Sequence, residues 1–454
     1  MSTLFGTRRR ADSVPLRGEI TSLESLEELA RTLAAVFTLA REPRGGRHDV
    51  LAQCDRNLAL LKRAYLVLAD DVRRAAVVDP AAEWLLDNFH LLDAQVRELR
   101  RDLPMRFYRR LPRLAAREYA GQARIYSLAI ELIRHGEGRL DAERLSRFLF
   151  AYQSVAPLTL GELWAWPLML KLALLENLRS LTEGVLRGRD ARLAAEAALA
   201  RLEQGSTLPP LPTPLHSAFV AQSRQRMLEH DPRVAALHVA IEAALARRGT
   251  TSDDVVRSEH QRQATDQAAA GNTFSSLRLC ASLDWSRFVE RQSQVDQILR
   301  RDPSGDYPRM DFASRDGYRH AVEELAENSG EAQVRVALRA VESARLAAAR
   351  DPHGVAAHVG HHLCGSGRAD LETDVAYRPP LALRLRRLAL RHATAVYLGG
   401  IGASTALVVA AAAAYARAVG APESMGVAVL YAAIPASELA VLLVQRVVAA
   451  RVAP

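Results

Sequence analysis

Residues 393–444 read ATAVYLGGIGASTALVVAAAAAYARAVGAPESMGVAVLYAAIPASELAVLLV. No side chain between Ala393 and Ala416 is charged, and a polar turn from Arg417 to Ser424 follows. A second apolar run extends from Met425 to Val444, interrupted by Pro435 and Glu438. A helix needs about 20 apolar residues to cross a hydrocarbon core of about 30 Å, and both runs reach that length. The short connection predicts an antiparallel helical hairpin with spans at 393–416 and 425–444. Arg384, Arg386, Arg387 and Arg391 precede it, Arg446 and Arg451 follow it, and the turn sets only Arg417 against Glu423. The positive-inside rule therefore puts both flanks in the cytoplasm. Everything before Ala393 reads as a cytoplasmic region, and 445–454 as a cytoplasmic stub. Glu438 is costly within a span; it either reaches the headgroups or meets a partner in a neighbouring span.

Working outward, the 454 residues leave room for two or three domains. Hydrophobic residues make up 49% and aromatics 6%, with Ala, Leu and Arg abundant. A sheet protein would use more β-branched and aromatic residues, so the class expected is all-α: one or more helical cytoplasmic bundles, then the hairpin. The net charge is +8, and Lys62 and Lys171 are the only lysines. The arginines are interleaved with Asp and Glu rather than gathered into a stripe, which argues against a nucleic-acid partner. A basic surface next to a membrane is suited to anionic headgroups. Cys54, Cys280 and Cys364 are odd in number and far apart; they build no disulfide framework, as suits a reducing compartment. Arg8 to Arg10 are not followed by the apolar stretch of a signal peptide.

Residues 1–15 read as a disordered tail, and 16–203 as a first helical domain. Thr21 and Glu24 have capping-box spacing at the head of a helix over about 22–40, which REPRGGR (41–47) should end. Helices are expected at about 49–74, 84–101, 122–135 and 141–152, with MRFYRRL (105–111) as an aromatic turn between prolines. Thr159 and Glu162 form a second capping box before GELWAWPLMLKLALLENLRSL. That segment is apolar almost all round, as a central buried helix would be, and Pro167 should kink or restart it. A separate helix is expected at 190–202. Residues 204–216 hold Pro209, Pro210, Pro212 and Pro214 and read as a stiff linker. A second helical domain would occupy 217–379. Its helices are expected near 217–229, 234–248, 252–269, 314–327 and 331–350, with a further run at 276–301 and a loop at 302–312. Residues 380–392 read as a basic pre-membrane helix.

Chemistry is scarce. No Asp-x-Asp pair, P-loop, GxGxxG or GxSxG pattern occurs, and the glycines at 399, 400 and 402 fall within a span, where they suit close helix packing. In DPHGVAAHVGHHLCGSG, His358 and His362 stand four apart, with His353, His361 and Cys364 nearby. Two such histidines can hold zinc from one helix face, but no glutamate follows the first; packing and surface histidines are the plainer reading, and no metal site is assigned. The loop YPRMDF and the following RDGYRH concentrate Tyr307, Arg309, Asp311, Arg315, Tyr318 and His320. They form a candidate binding or docking loop, or more plainly a capping and ion-pair cluster in which Asp311 and Arg315 are partners.

Several segments together resemble the cyclic β-1,2-glucan synthases. They are LRGEITSLESLEELA from Leu16, DNFHLLDAQVRELRRDLP from Asp87, RFLFAYQSVAPLTLGELWAWPLMLKLALLENLR from Arg147 and HQRQA from His260. SLRLCASLDWSRFVE from Ser276, YPRMDFASRDGYRHAVEELA from Tyr307, HVG from His358 and PASELA from Pro435 complete the set. They run in family order over nearly the whole chain. The resemblance implies a bacterial inner-membrane protein with a helical cytoplasmic region and the first hairpin. In that family a glucosyltransferase domain follows, using UDP-glucose with a divalent cation, then further spans and a phosphorylase-like domain. The chain stops at Pro454, where the transferase would begin. The resemblance thus implies a non-catalytic anchoring and scaffolding part, truncated before the transferase. It would have no cofactor or catalytic residue of its own, and its partners would be the membrane and the transferase and phosphorylase-like domains, or a polypeptide carrying them. The rival expectation is a stand-alone membrane-tethered adaptor for another protein.

Overall fold

The computed structural model describes residues 22–40, 50–103, 105–115, 119–205, 207, 209–227, 235–418 and 425–451. The expected tail at 1–15, Thr21, the break at 41–47 and most of the inter-span turn lie outside them. Among the described residues the architecture is all-α; the only β-type pairings are isolated bridges, Leu39 with Leu114 and Arg113 with Ala123. The chain divides into two units, residues 1–323 with 333–364 and residues 324–332 with 365–454.

The first unit begins with α1 (Leu23–Val36), α2 (Val50–Arg73), α3 (Pro80–Asp102), α4 (Met105–Arg110), α5 (Arg124–His135) and α6 (Ala142–Gln153). The cap of α1 is Ser22, whose side chain accepts from Ser25 N. Helix α3 starts four residues earlier than its apolar period suggests, because Asp79 caps it and Pro80 fills the first position. Residues 105–110 form a helix rather than the expected turn.

The centre of the unit is α7 (Leu160–Glu203), 44 residues long. Its capping box is present: Glu162 N donates to Thr159 Oγ1 at 3.2 Å, and Thr159 N donates to Glu162 Oε2 at 2.9 Å. The same carboxylate accepts a two-pronged contact from Arg124, both side chains being buried. Trp166, Met169, Leu170 and Leu174 are fully buried, and α2, α3, α5, α8 and α10 pack around the helix. It neither restarts at Pro167 nor ends before Asp190. Pro167 falls in the second turn and removes one backbone bond, a loss offset by the burial of Ala165, Trp166, Leu168 and Met169 beside it. Further along, the ion pairs Arg179–Glu183 and Arg189–Asp71 carry the helix past Gly184 and Gly188.

After the segment at 204–216, none of whose described residues is buried, come α8 (Ser217–Met227), α9 (Ala235–Ala246) and α10 (Ser252–Ser282). Phe219, Val220, Leu237 and Ile241 close a smaller core with Leu199 and Leu202 of α7. Helix α10 is one 31-residue helix where two were expected. At its Gly271 an added Cβ would lie 3.0 Å from the Trp84 ring, so the glycine admits that indole rather than breaking the helix. Then follow α11 (Trp285–Gln292), α12 (Gln294–Leu299), α13 (Phe312–Ser329), α14 (Gln333–Ala348) and α15 (Val359–Leu363).

The second unit holds the last residues of α13, α16 (Arg368–Asp374), α17 (Leu381–Arg391), α18 (Ala393–Ala418) and α19 (Met425–Arg451). Within α18 and α19, 393–415 and 429–446 are long and apolar enough to cross a membrane. The two helices pack on each other while Leu398, Leu407, Leu430, Ile434 and Leu442 stay exposed. Exposed leucines in such number mark a membrane-associated protein. The small residues at the contact are Gly400, facing Val444, with Ala436 and Ala440. Gly399 and Gly402 face open space, so the glycine cluster as a whole is not the packing surface.

Candidate functional site

The polar residues picked out between 307 and 320 sit where α11, α12, α13 and α15 converge with the loop at 300–311. Two buried carboxylates organise the place. Asp302 follows the end of α12 and is fully buried at its side chain. Its Oδ2 accepts from Ser304 Oγ at 2.7 Å and Tyr307 N at 3.3 Å, and lies 2.8 Å from His358 Nδ1. Its Oδ1 accepts from Val359 N at 2.9 Å. Burial pushes the Asp302 carboxyl up, but Ser304, Val359 N, His358 and Tyr307 N together hold it below the ordinary range. On the other side of the ring, Nε2 of His358 lies 3.1 Å from Tyr318 Oη.

Asp296, also fully buried, is the second anchor. Its Oδ1 accepts from Tyr307 Oη at 2.8 Å and Arg319 Nη1 at 3.1 Å, and its Oδ2 from Arg300 Nε at 2.6 Å. Arg319, 2% exposed at its side chain, also reaches Glu290 at 2.9 Å and Asp316 at 3.1 Å. Its guanidinium lies 5.0 Å from the centre of the Phe312 ring. Glu290 accepts from both Nε and Nη2 of Arg315 at 3.0 and 2.9 Å. Burial pushes Glu290 up, and Arg319 and Arg315 more than offset it. Burial likewise raises Tyr307, reinforced by the Asp296 charge. It raises Tyr318 too, with Cys364, Asp302 and Asp306 adding to the effect. Both phenols therefore remain protonated at neutral pH, and the Asp302 and Glu290 carboxylates are charged and paired. Such an arrangement holds helix ends in register rather than supplying a nucleophile.

The structure brings together three of the six candidate residues. Tyr307 and Tyr318 stack at 6.0 Å, and Arg315 joins through Glu290. Asp311 caps α13 through Ser314 N at 2.9 Å; the carboxylate paired with Arg315 is Glu290, not Asp311. Arg309 and His320 face solvent, 79% and 68% exposed. Asp296, Asp302, Glu290 and Arg319 escaped the sequence reading, although Arg319 lies one helical turn from Arg315. His358 and His362 do not share a helix face: His358 precedes the five-residue α15 as its N-cap. Both His358 nitrogens are engaged as above, and His362 Nε2 lies 2.9 Å from Ala356 O. Among the described residues no cluster of three His, Cys, Asp or Glu side chains is placed to hold a metal ion. Glu438 is exposed on α19 between the buried Ala436 and Ala440. Elsewhere, an open groove of about 320 Å³ along α14 is lined by Arg301, Arg335, Arg339 and Arg345, with Glu342 as its carboxylate.

Comparison with known proteins gives one strong similarity. The chain is 32% identical over 385 residues, 82% of its own length, to "Cyclic beta-(1,2)-glucan synthase NdvB" of Rhizobium meliloti (strain 1021). It spans only 13% of the length of that relative. No protein-family profile matches the chain.

Proposed function

We propose that this chain is a non-catalytic part of a cyclic β-1,2-glucan synthase, anchoring and orienting the machinery that polymerises glucose from UDP-glucose. What carries the reading is similarity over 82% of the chain to a protein named as such a synthase. Within the first unit, buried ion pairs such as Arg124–Glu162 and Arg319–Asp296 lock helices together, a build suited to a mount. Its partners would be the membrane and the transferase and phosphorylase-like domains, whether on one polypeptide or two. With Arg384, Arg386, Arg391 and Arg446 flanking the spans, both ends of the hairpin face the cytoplasm of a bacterial inner membrane. In this reading the loop at 307–320 is a docking surface presented by a locked framework, with Arg309, Asp311 and His320 among its exposed members.

The test is made in host membranes with an antibody against the helical region. The expected result is a captured band or partner several times the mass of this chain, together with glucan synthesis from UDP-glucose in the captured fraction. Purified chain alone, given UDP-glucose, should make no glucan. Synthesis by the isolated chain, or capture that brings no synthesis, overturns the proposal. A second reading, an adaptor for an unrelated protein, is favoured by the arginine-lined groove on α14, whose charge suits an acidic surface. Capture of an acidic partner without glucan synthesis would select it.

A further inference from the structure

Helix α17 is separated from the first apolar span by His392 alone. Its sequence, LALRLRRLALR, places Leu381, Leu385 and Leu388 on one stripe at i, i+4 and i+7. These three leucines are 72%, 58% and 56% exposed. Arg384 and Arg391 border the stripe, and Arg386 lies across the helix from it. A free apolar stripe on a basic helix needs a cover, and the position of this one limits the choice. The chain enters the bilayer within one or two residues of Arg391, so α17 is held at headgroup level. A helix there with leucines on one side and arginines beside them has the chemistry of an in-plane interfacial helix. Its charge matches anionic lipid.

Another side of α17 is tied to its neighbours. Arg387 donates through both terminal nitrogens to Glu372, at 2.7 Å each, and its guanidinium lies 5.8 Å from the centre of the Tyr377 ring. Glu372 also accepts from Arg368 Nε at 2.9 Å. Arg368 and Tyr377 Oη each reach Glu324 at 3.0 Å. This clamp ties α17 to α16 and to the end of α13 and leaves the leucine stripe uncovered. We infer that α17 lies in the plane of an anionic membrane surface, with Leu381, Leu385 and Leu388 in the acyl boundary. The Glu372 clamp then fixes the angle at which α16 and the end of α13 meet the bilayer. The inference rests on the hairpin crossing the membrane.

The experiment uses the full chain in phosphatidylcholine–phosphatidylglycerol vesicles. Cys364→Ser leaves only the buried Cys54 and Cys280, so single cysteines can be introduced and spin-labelled. Labels go at Leu385→Cys, Leu388→Cys, Arg386→Cys and, within α18, Leu407→Cys. The expected ratio of oxygen to nickel-chelate accessibility is severalfold higher at 385 and 388 than at 386, and high at 407. Exchanging phosphatidylglycerol for phosphatidylcholine, or combining Arg384→Gln with Arg391→Gln, should lower the ratio at 385. Water-like labels at 385 and 388 beside a lipid-like 407 overturn the interfacial helix and leave the hairpin standing. A water-like 407 overturns the hairpin itself and the inference with it. Depth unchanged on removing anionic lipid overturns the electrostatic part.

Discussion

His358 Nδ1 and Asp302 Oδ2 lie 2.8 Å apart although 56 positions separate the residues. The contact closes the loop that follows α12 onto the start of α15, and Tyr318 extends it to α13. The fully buried Asp302 carboxylate collects four donors, so its removal strands several polar groups at once. Asp302→Ala should therefore cost about 2–4 kcal/mol, with each stranded donor adding its own desolvation penalty. Denaturant unfolding in detergent, followed by circular dichroism, measures it. A change within about 0.5 kcal/mol, the range of an ordinary surface site, would mean that the loop is not held through this carboxylate.

Gly360 makes the Tyr318–His358 contact sterically feasible. A Cβ there would come within 2.2 Å of Tyr318 Oη and 2.7 Å of His358 Nε2. Gly360→Ala should thus cost about 1–3 kcal/mol through overpacking. In a Tyr318→Ala background the same change should cost much less, a coupling that a double-mutant cycle reads directly. Strict additivity would place the strain elsewhere.

What the sequence made legible was local. The capping box at Thr159 and Glu162 and the all-round apolar character of α7 both lie within one helical segment, and both appear in the structure. Continuity through Gly188 and Gly271 was not legible, because Asp71, which pairs with Arg189, and the indole of Trp84 come from distant residues. The candidate site divides along the same line. Tyr307, Arg315 and Tyr318 were visible as a dense polar cluster, while Asp296, Asp302 and Glu290 lie in ordinary-looking helix ends. Their role depends on burial, which spacing does not encode. The paired histidines show the same limit: the i, i+4 rule presumes a helix, and the chain forms one only from Val359.

Acid should unfold the first unit in a defined window. Glu259 accepts from Ser217 Oγ at 2.6 Å and from Arg262 Nε and Nη2 at 2.9 and 2.6 Å. Burial works against its charge, but Arg262 and Ser217 bring its carboxyl from the ordinary 4.5 down to about 2. A depressed carboxyl stabilises the fold fully above its unfolded value, and that contribution disappears as pH falls through the folded one. His216 adds an earlier loss. Burial first of all holds its imidazole below the usual 6.5, and its Nδ1 accepts from Ala218 N at 3.1 Å. The unfolded chain therefore takes up that proton first, and stability starts to decline as pH drops below about 6.5. Melting temperature should be level above neutrality, slip below 6.5, and fall steeply between 4.5 and 2. Glu259→Gln should flatten the steep part. An unchanged slope in that variant would assign the acid sensitivity to other carboxylates.

The domain division at 204–216 is a proposal that proteolysis can decide. None of the described residues there is buried, and the segment joins two of the most firmly packed helices, α7 and α8. Subtilisin should cut there first, since Leu211 and Leu215 flank exposed prolines while α7 is shielded through most of its length. The two fragments should separate on a denaturing gel yet migrate together under native conditions, because Phe219 and Val220 share a core with Leu199 and Leu202. Fragments that part without denaturant would mean two independent domains joined by a spacer. Fragments that stay together would mean that the prolines mark a surface crossing between two halves of one packed body, with α7 as the spine of both.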